Sequence, residues 1–194
     1  MIREDFPLFL KKLGLNNRGA EIGVDTGVFS TVLISAGFDL FFSIDNWSSD
    51  ILDTVEEDGR PSTKPAEDNY RLARQRLSFF GERSKILRKT SEEAAYMFEN
   101  HYFDFVYLDA DHRYEEILKD LHLWYPKIRP GGILAGHDYK DETIYWEKTN
   151  LRSYFGVKRA VDEFFKDRKL EVNITDEPSW KSWYVHKPKE NADT

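Results

Sequence analysis

Short apolar runs alternate with stretches of helical spacing along most of the chain, which is how an alternating β/α domain reads. Residues 4–13 read as a leading helix that stops at Gly14, and Arg18–Val24 as a first buried strand broken by Asp25-Thr26-Gly27. Val28, Phe29, Val32, Leu33 and Ala36 then form an apolar helix face ending at Gly37. Leu40–Ile44 is a second strand, Tyr70–Leu77 a helix and Lys85–Arg88 a third strand, while Thr90 and Glu93 have capping-box spacing for a helix over 91–99. Phe103–Leu108 is a strong fourth strand, followed by a helix with Ile117, Leu118, Leu121 and Trp124 on one face. Pro130-Gly131-Gly132 turns the chain into a fifth strand, Ile133–Gly136, and 157–166 is amphipathic. Leu170–Ile174 and Trp183–Val185 flank a polar turn and read as a closing antiparallel hairpin. Two stretches lack a clean period. Ser48–Asp68 is an acidic insert of the kind that serves as a lid or binding loop, and 139–155 is polar and aromatic, suited to cover a substrate.

A length of 194 residues predicts one α/β domain, taken as 1–188, with 189–194 as a disordered tail. The chain is 40% hydrophobic with 14 Phe, 10 Tyr and 5 Trp, enough for a substantial core. Its 28 basic residues against 35 acidic ones give a net charge of −7, which discounts nucleic acid as a partner. The absence of cysteine removes disulfides, thiolate metal sites and cysteine nucleophiles together. The acidic start does not read as a signal peptide, and no window approaches the roughly 20 apolar residues of a membrane span, so a cytoplasmic location and no membrane partner are expected. The composition leaves a homo-oligomer open.

In an open parallel sheet, ligands bind beyond the carboxyl ends of the strands. There the chain places Asp25-Thr26-Gly27, Asp45, Thr90-Ser91-Glu92, Asp109 and His137-Asp138. Each alone reads equally as a turn or a helix cap; five together point to a site. A dinucleotide fingerprint starting at Gly23 needs glycines at 25 and 28, where Asp25 and Val28 stand. What fits instead is Glu21, Gly23 and Gly27: two glycines for close backbone approach, with Glu21 and Asp25 adding negative charge that suits a cationic ligand. Asp45 lies 22 residues beyond the first glycine, where a carboxylate accepts ribose hydroxyls.

These residues resemble the class I S-adenosylmethionine (SAM)-dependent methyltransferases, from about Arg18 to Val185. Glu21-Ile22-Gly23-Val24-Asp25-Thr26-Gly27 matches their first motif, and the block from Phe103 through Asp109, His112 and Pro130-Gly131-Gly132 to His137-Asp138-Tyr139 resembles compact bacterial O-methyltransferases of macrolide sugars and aminocoumarins. The resemblance implies a Rossmann-like, mostly parallel seven-stranded sheet of order 3-2-1-4-5-7-6 with strand 7 antiparallel. It also implies SAM as cofactor and a hydroxyl of a sugar or natural product as acceptor. Asp45 would bind the ribose, Asn46 and Trp47 would flank the adenine, Ser91 would lie near its far edge, and Asp109 would border the methionine part. In such relatives an acid at the place of Asp109 and an Asp-Asp pair at the place of 137–138 hold magnesium. Here the pair is His137-Asp138, and an imidazole favours a softer divalent ion or none. Without metal, His137 is the general base, oriented by Asp109 or Asp138. Two rivals stand beside this reading: a nicotinamide-dependent oxidoreductase, and a cofactor-binding module without catalysis.

Overall fold

A computed structural model describes residues 1–35, 37–48, 66–146 and 151–189. Five strands are parallel: β1 (Arg18–Ile22), β2 (Leu40–Asp45), β3 (Ser84–Arg88), β4 (Phe103–Leu108) and β5 (Ile128–Gly136). Two short strands, β6 (Asp141–Trp146) and β7 (Leu151–Gly156), pair only with each other. The chain then adds β8 (Asn173–Ile174) and β9 (Trp183–His186), with β9 antiparallel to both β5 and β8. The main sheet runs β3-β2-β1-β4-β5-β9-β8, which is the expected seven-stranded order with its antiparallel strand in place.

Helices α1 (Phe6–Leu13), α2 (Val28–Ser35) and α3 (Ala66–Leu77) supply one core, and α4 (Ser91–Ala95), α5 (Tyr114–Trp124) and α6 (Val157–Lys166) the other. Because helices cover both faces, β4 is apolar throughout except for Asp104, with Phe105 and Tyr107 in the first core and Val106 and Leu108 in the second. Asp104 is nevertheless satisfied. It accepts from the backbone N–H groups of Asn17 (2.7 Å) and Arg18 (2.9 Å) and from Arg129, and so fixes the start of β1. Full burial of Trp124, Trp183 and Phe103 contributes roughly 1.5–3 kcal/mol each.

Several boundaries differ from the sequence reading. The fifth strand begins at Ile128, ahead of the Pro-Gly-Gly turn, because an irregularity in its register opposite Phe103–Phe105 absorbs that turn and Gly131 takes a φ of 79°. Helix α4 stops at Ala95, short of the expected 99. Residues 66–68 of the acidic insert open α3, whereas 49–65, the body of the candidate lid, lie outside the described residues, as do 190–194 of the tail. The aperiodic stretch 139–155 is the β6–β7 hairpin. β7 does alternate, with Ser153 and Phe155 buried and Arg152 and Tyr154 exposed, but β6 is mostly exposed and hides the pattern. Among the described residues no helix is long and apolar enough to cross a membrane.

Register decides where the chemistry gathers. Ile22 pairs with Ile44 and Leu108, and Leu108 with Gly136, so Gly23, Asp45, Asp109 and His137 line up along one rim of the sheet.

Candidate active site

The rim has two parts. In the first, the turn after β1 passes so close to the end of β4 that a Cβ on Gly23 would lie 2.0 Å from the Asp109 carbonyl oxygen, and Gly23 has a φ of 88°. Asp45 organises this turn: one carboxylate oxygen accepts from Val24 N–H (2.8 Å) and Asp25 N–H (2.9 Å), the other from Trp47 N–H (2.8 Å). A carboxylate has about four acceptor directions, so one on Oδ1 remains for a ligand hydroxyl. Asp25, at a φ of 50°, accepts from Asn69 Nδ2 at 2.6 Å, and the Thr26 carbonyl accepts from Arg76 at 2.6 Å. Helix α3 is thereby tied over the turn.

Three residues of this half sit differently from their expected surroundings. Glu21 is buried and receives the Ser30 hydroxyl, which also bonds to Ser43 at 2.8 Å. Burial pushes its carboxyl up to about 8, so at neutral pH it is a neutral hydrogen-bonding group and adds no negative charge to the turn. Trp47 is also buried, its ring 4.8 Å from that of Tyr70 and its indole N–H given to the Asp25 carbonyl at 2.7 Å. Ser91 turns its hydroxyl to Asp120 and accepts from Trp124 Nε1 at 2.8 Å. Burial raises Asp120 to about 7, and the group fastens α4 to α5. Asn46 accepts from Ser48 N–H at 3.0 Å.

The second half lies beyond β4 and β5 and is charged. His137 Nδ1 stands 3.3 Å from Asp138 Oδ1 and 3.6 Å from Asp109 Oδ1. Asp138 holds a φ of 52°, an uncommon conformation for an aspartate, and its other oxygen pairs with His112 Nε2 at 2.9 Å. His112 also lies 3.5 Å from Asp109 and stacks on Phe155, centroids 5.3 Å apart. Burial opposes its charge, but Asp138 and Asp109 outweigh that and push His112 up to about 10. Asp138 falls well below the ordinary range because His112 and His137 overcome its burial, and Asp109 is lowered by His137, Arg3 and His112 against the same opposition.

Arg3, just ahead of α1, completes the cluster. Its Nη2 donates to Asp109 Oδ2 at 2.7 Å, and Nη1 lies 3.4 Å from His137 Nε2. The guanidinium stands over Phe29 at 3.8 Å and near Tyr107 at 5.2 Å, and the Arg3 backbone N–H binds Glu177. A guanidinium can only donate, so His137 Nε2 is the acceptor and Nδ1 carries the proton toward the two carboxylates. The sequence reading brought Asp109, His137 and Asp138 together correctly in space but assigned no role to Arg3 or His112. For His112, the helix register after Asp111 is a usable signal; for Arg3, 106 residues from its partner, no local signal exists.

One ligand atom from each of Asp109, His137 and Asp138 falls within 4.8 Å of the others, a spacing a metal ion could use. Arg3 donates to Asp109 Oδ2 and His112 lies against Asp138 Oδ2, whereas Asp138 Oδ1 is buried with no hydrogen-bond partner. With the Arg3 guanidinium already paired to Asp109, a divalent ion there would meet a fixed positive charge, and the arrangement as it stands does not fit one.

Aromatic side chains wall the charged half. Phe155 lies between His112 and Trp180, and the Lys140 ammonium sits 3.0 Å from the Trp180 ring centroid and 4.0 Å from that of Phe155. Tyr139 instead bonds Asp162, while Tyr145 and Tyr154 are exposed on the hairpin.

Comparison with known proteins agrees with this fold. Among curated proteins no relative matches the chain. Of the similar solved structures, an O-methyltransferase from Bacillus cereus in complex with SAH has 14% identity and a TM-score of 0.64, over 95% of this chain and 80% of that one. The O-methyltransferase TomG of Streptomyces achromogenes, involved in tomaymycin synthesis and bound to SAM, has 13% identity and a TM-score of 0.65, over 96% and 79%. A 1,6-didemethyltoxoflavin N1-methyltransferase of Burkholderia thailandensis has 12% identity and a TM-score of 0.59, over 96% and 79%. At such identities the likeness is one of fold. A family model described as a methyltransferase domain matches residues 20–139, more than half of the chain and both halves of the rim, and the nicotinamide alternative falls away: the protein belongs to this methyltransferase family.

Proposed function

We propose that the protein transfers a methyl group from SAM to a hydroxyl of a small molecule, of the sugar or natural-product kind, within one domain spanning 1–188. The observation that carries this reading is His137, whose Nδ1 faces Asp109 and Asp138 and whose Nε2 lone pair, now facing Arg3 Nη1, is the place for an acceptor hydroxyl to give up its proton. SAM fits the donor set of the first half, because Asp45 is fixed by three backbone N–H groups and keeps one acceptor direction for a ribose hydroxyl. Gly23, Val24, Asp25, Thr26 and Gly27 would follow its methionine part, with Asp109 at the border between cofactor and acceptor, and Asn46, Trp47 and Ser91 nearer the adenine. When bound, SAM supplies a methyl group on a positive sulfur, ready for direct displacement.

The chain's own residues then manage the acceptor. His137 Nε2 would take the hydroxyl proton, leaving the acceptor oxygen free to displace the sulfur, which would depart as a neutral thioether. Asp109 and Asp138, 3.6 and 3.3 Å from Nδ1, would stabilise the imidazolium that results. Phe155 and Trp180 keep water from that side, so that alignment and dryness supply much of the rate. Titration calorimetry with SAM, followed by labelled-methyl transfer to polyhydroxylated and phenolic compounds, tests the reading. Micromolar binding and label in a hydroxyl product are expected; no heat up to millimolar SAM would overturn it.

A further inference from the structure

We propose that Arg3 is the built-in cation of this site, its guanidinium standing where a divalent ion would otherwise neutralise Asp109 and face the acceptor oxygen, so that transfer runs without metal. One guanidinium touches both the acid and the base: 2.7 Å to Asp109 Oδ2 and 3.4 Å to His137 Nε2. Its position is held from several sides, by Phe29 under the guanidinium plane, Tyr107 beside it and Glu177 on its backbone N–H. The Nε–H is buried without a hydrogen-bond partner, so charge and stacking hold the group as much as hydrogen bonds do.

The chemistry follows from that placement. An acceptor hydroxyl must take the place of Arg3 Nη1 on the one lone pair of His137 Nε2 to lose its proton, and there its oxygen lies against Nη1. As the proton leaves and the oxygen gains negative charge, a fixed guanidinium stabilises it, the service a metal ion provides elsewhere. The same cation makes the pocket a poor host for metal, since a divalent ion beside Asp109 would meet the Arg3 guanidinium 2.7 Å from that carboxylate. The catalytic half of this inference rests on the methyl-transfer reading; the exclusion of metal stands on the cluster alone.

The two halves separate in experiment. Electron paramagnetic resonance titration with Mn²⁺ should show no binding to the wild-type protein at millimolar concentration. Arg3→Met should gain a single Mn²⁺ site, which Asp109→Asn in the same background should remove. An Asp109-dependent Mn²⁺ site in the wild type, or no gain in Arg3→Met, overturns the proposal; Arg3→Gln takes its place should Arg3→Met fail to melt cooperatively. In turnover, Arg3→Met should lower kcat by about 10²-fold with little change in KM for SAM, and Arg3→Lys should recover part of it. Wild-type activity should survive EDTA; activity lost to EDTA and restored by Mg²⁺ contradicts the proposal. Failure of the wild type to bind SAM rejects the methyl-transfer reading and leaves the Mn²⁺ result to decide metal exclusion.

Discussion

The two halves of the rim are built from different materials. On the side of β1 and β2, Asp45 gathers three backbone N–H groups from residues 24, 25 and 47, and Glu21 is buried, which pushes its carboxyl up to about 8. Beyond β4 and β5, Arg3, Asp109, His112, His137 and Asp138 meet through charged side chains brought from separate segments. Backbone amides cannot titrate and their geometry is set by the fold, which suits gripping a cofactor. Paired side-chain charges respond to a proton, which suits activating an acceptor. On this view the cost of a substitution depends on which half it strikes.

The largest break is expected at the base. His137→Gln should lower kcat by about 10²–10⁴-fold, measured by labelled-methyl transfer, while the affinity for SAM stays near the wild-type value. Next comes the grip: Asp45→Ala removes an acceptor of three backbone N–H groups and should weaken SAM binding by roughly 10- to 100-fold in calorimetry. Gly23→Ala forces a Cβ against the Asp109 carbonyl at positive φ and should cost about 1–3 kcal/mol, read as a lower midpoint in thermal unfolding.

A further effect concerns pH. His112 is raised in the folded state to about 10 from its ordinary 6.5, so its stabilisation is complete below pH 6.5 and is lost as the pH climbs toward 10. Glu21, raised to about 8 from 4.5, acts in the same direction between those values. Thermal stability should therefore decline from neutral to alkaline pH, and His112→Phe should flatten the part of that decline above pH 8. A wild-type midpoint that is level or rising over this range would contradict the charged His112.

Local chemistry was legible in the sequence and long-range chemistry was not. The β/α alternation and the strand-end acids follow from short-range patterns, the sheet order followed from the family resemblance, and parallel register then brings Asp109 and His137 side by side. The charge expected of Glu21 failed because a sequence displays an acid but not its burial between Ser30 and Ser43. The capping box at Thr90 marked where α4 begins, but no comparable signal marked where it ends. The β6–β7 hairpin escaped because an exposed strand such as β6 buries no face and shows no alternation. Arg3 escaped because its meaning depends on a fold that returns the first residues of the chain to the ends of the fourth and fifth strands.

The division of labour along the rim is tested most directly by titration calorimetry with SAM on two variants side by side. The account predicts that His137→Gln binds SAM as the wild type does and that Asp45→Ala loses most of its affinity. Equal affinity in Asp45→Ala and the wild type, or loss of SAM binding in a properly folded His137→Gln, would contradict it.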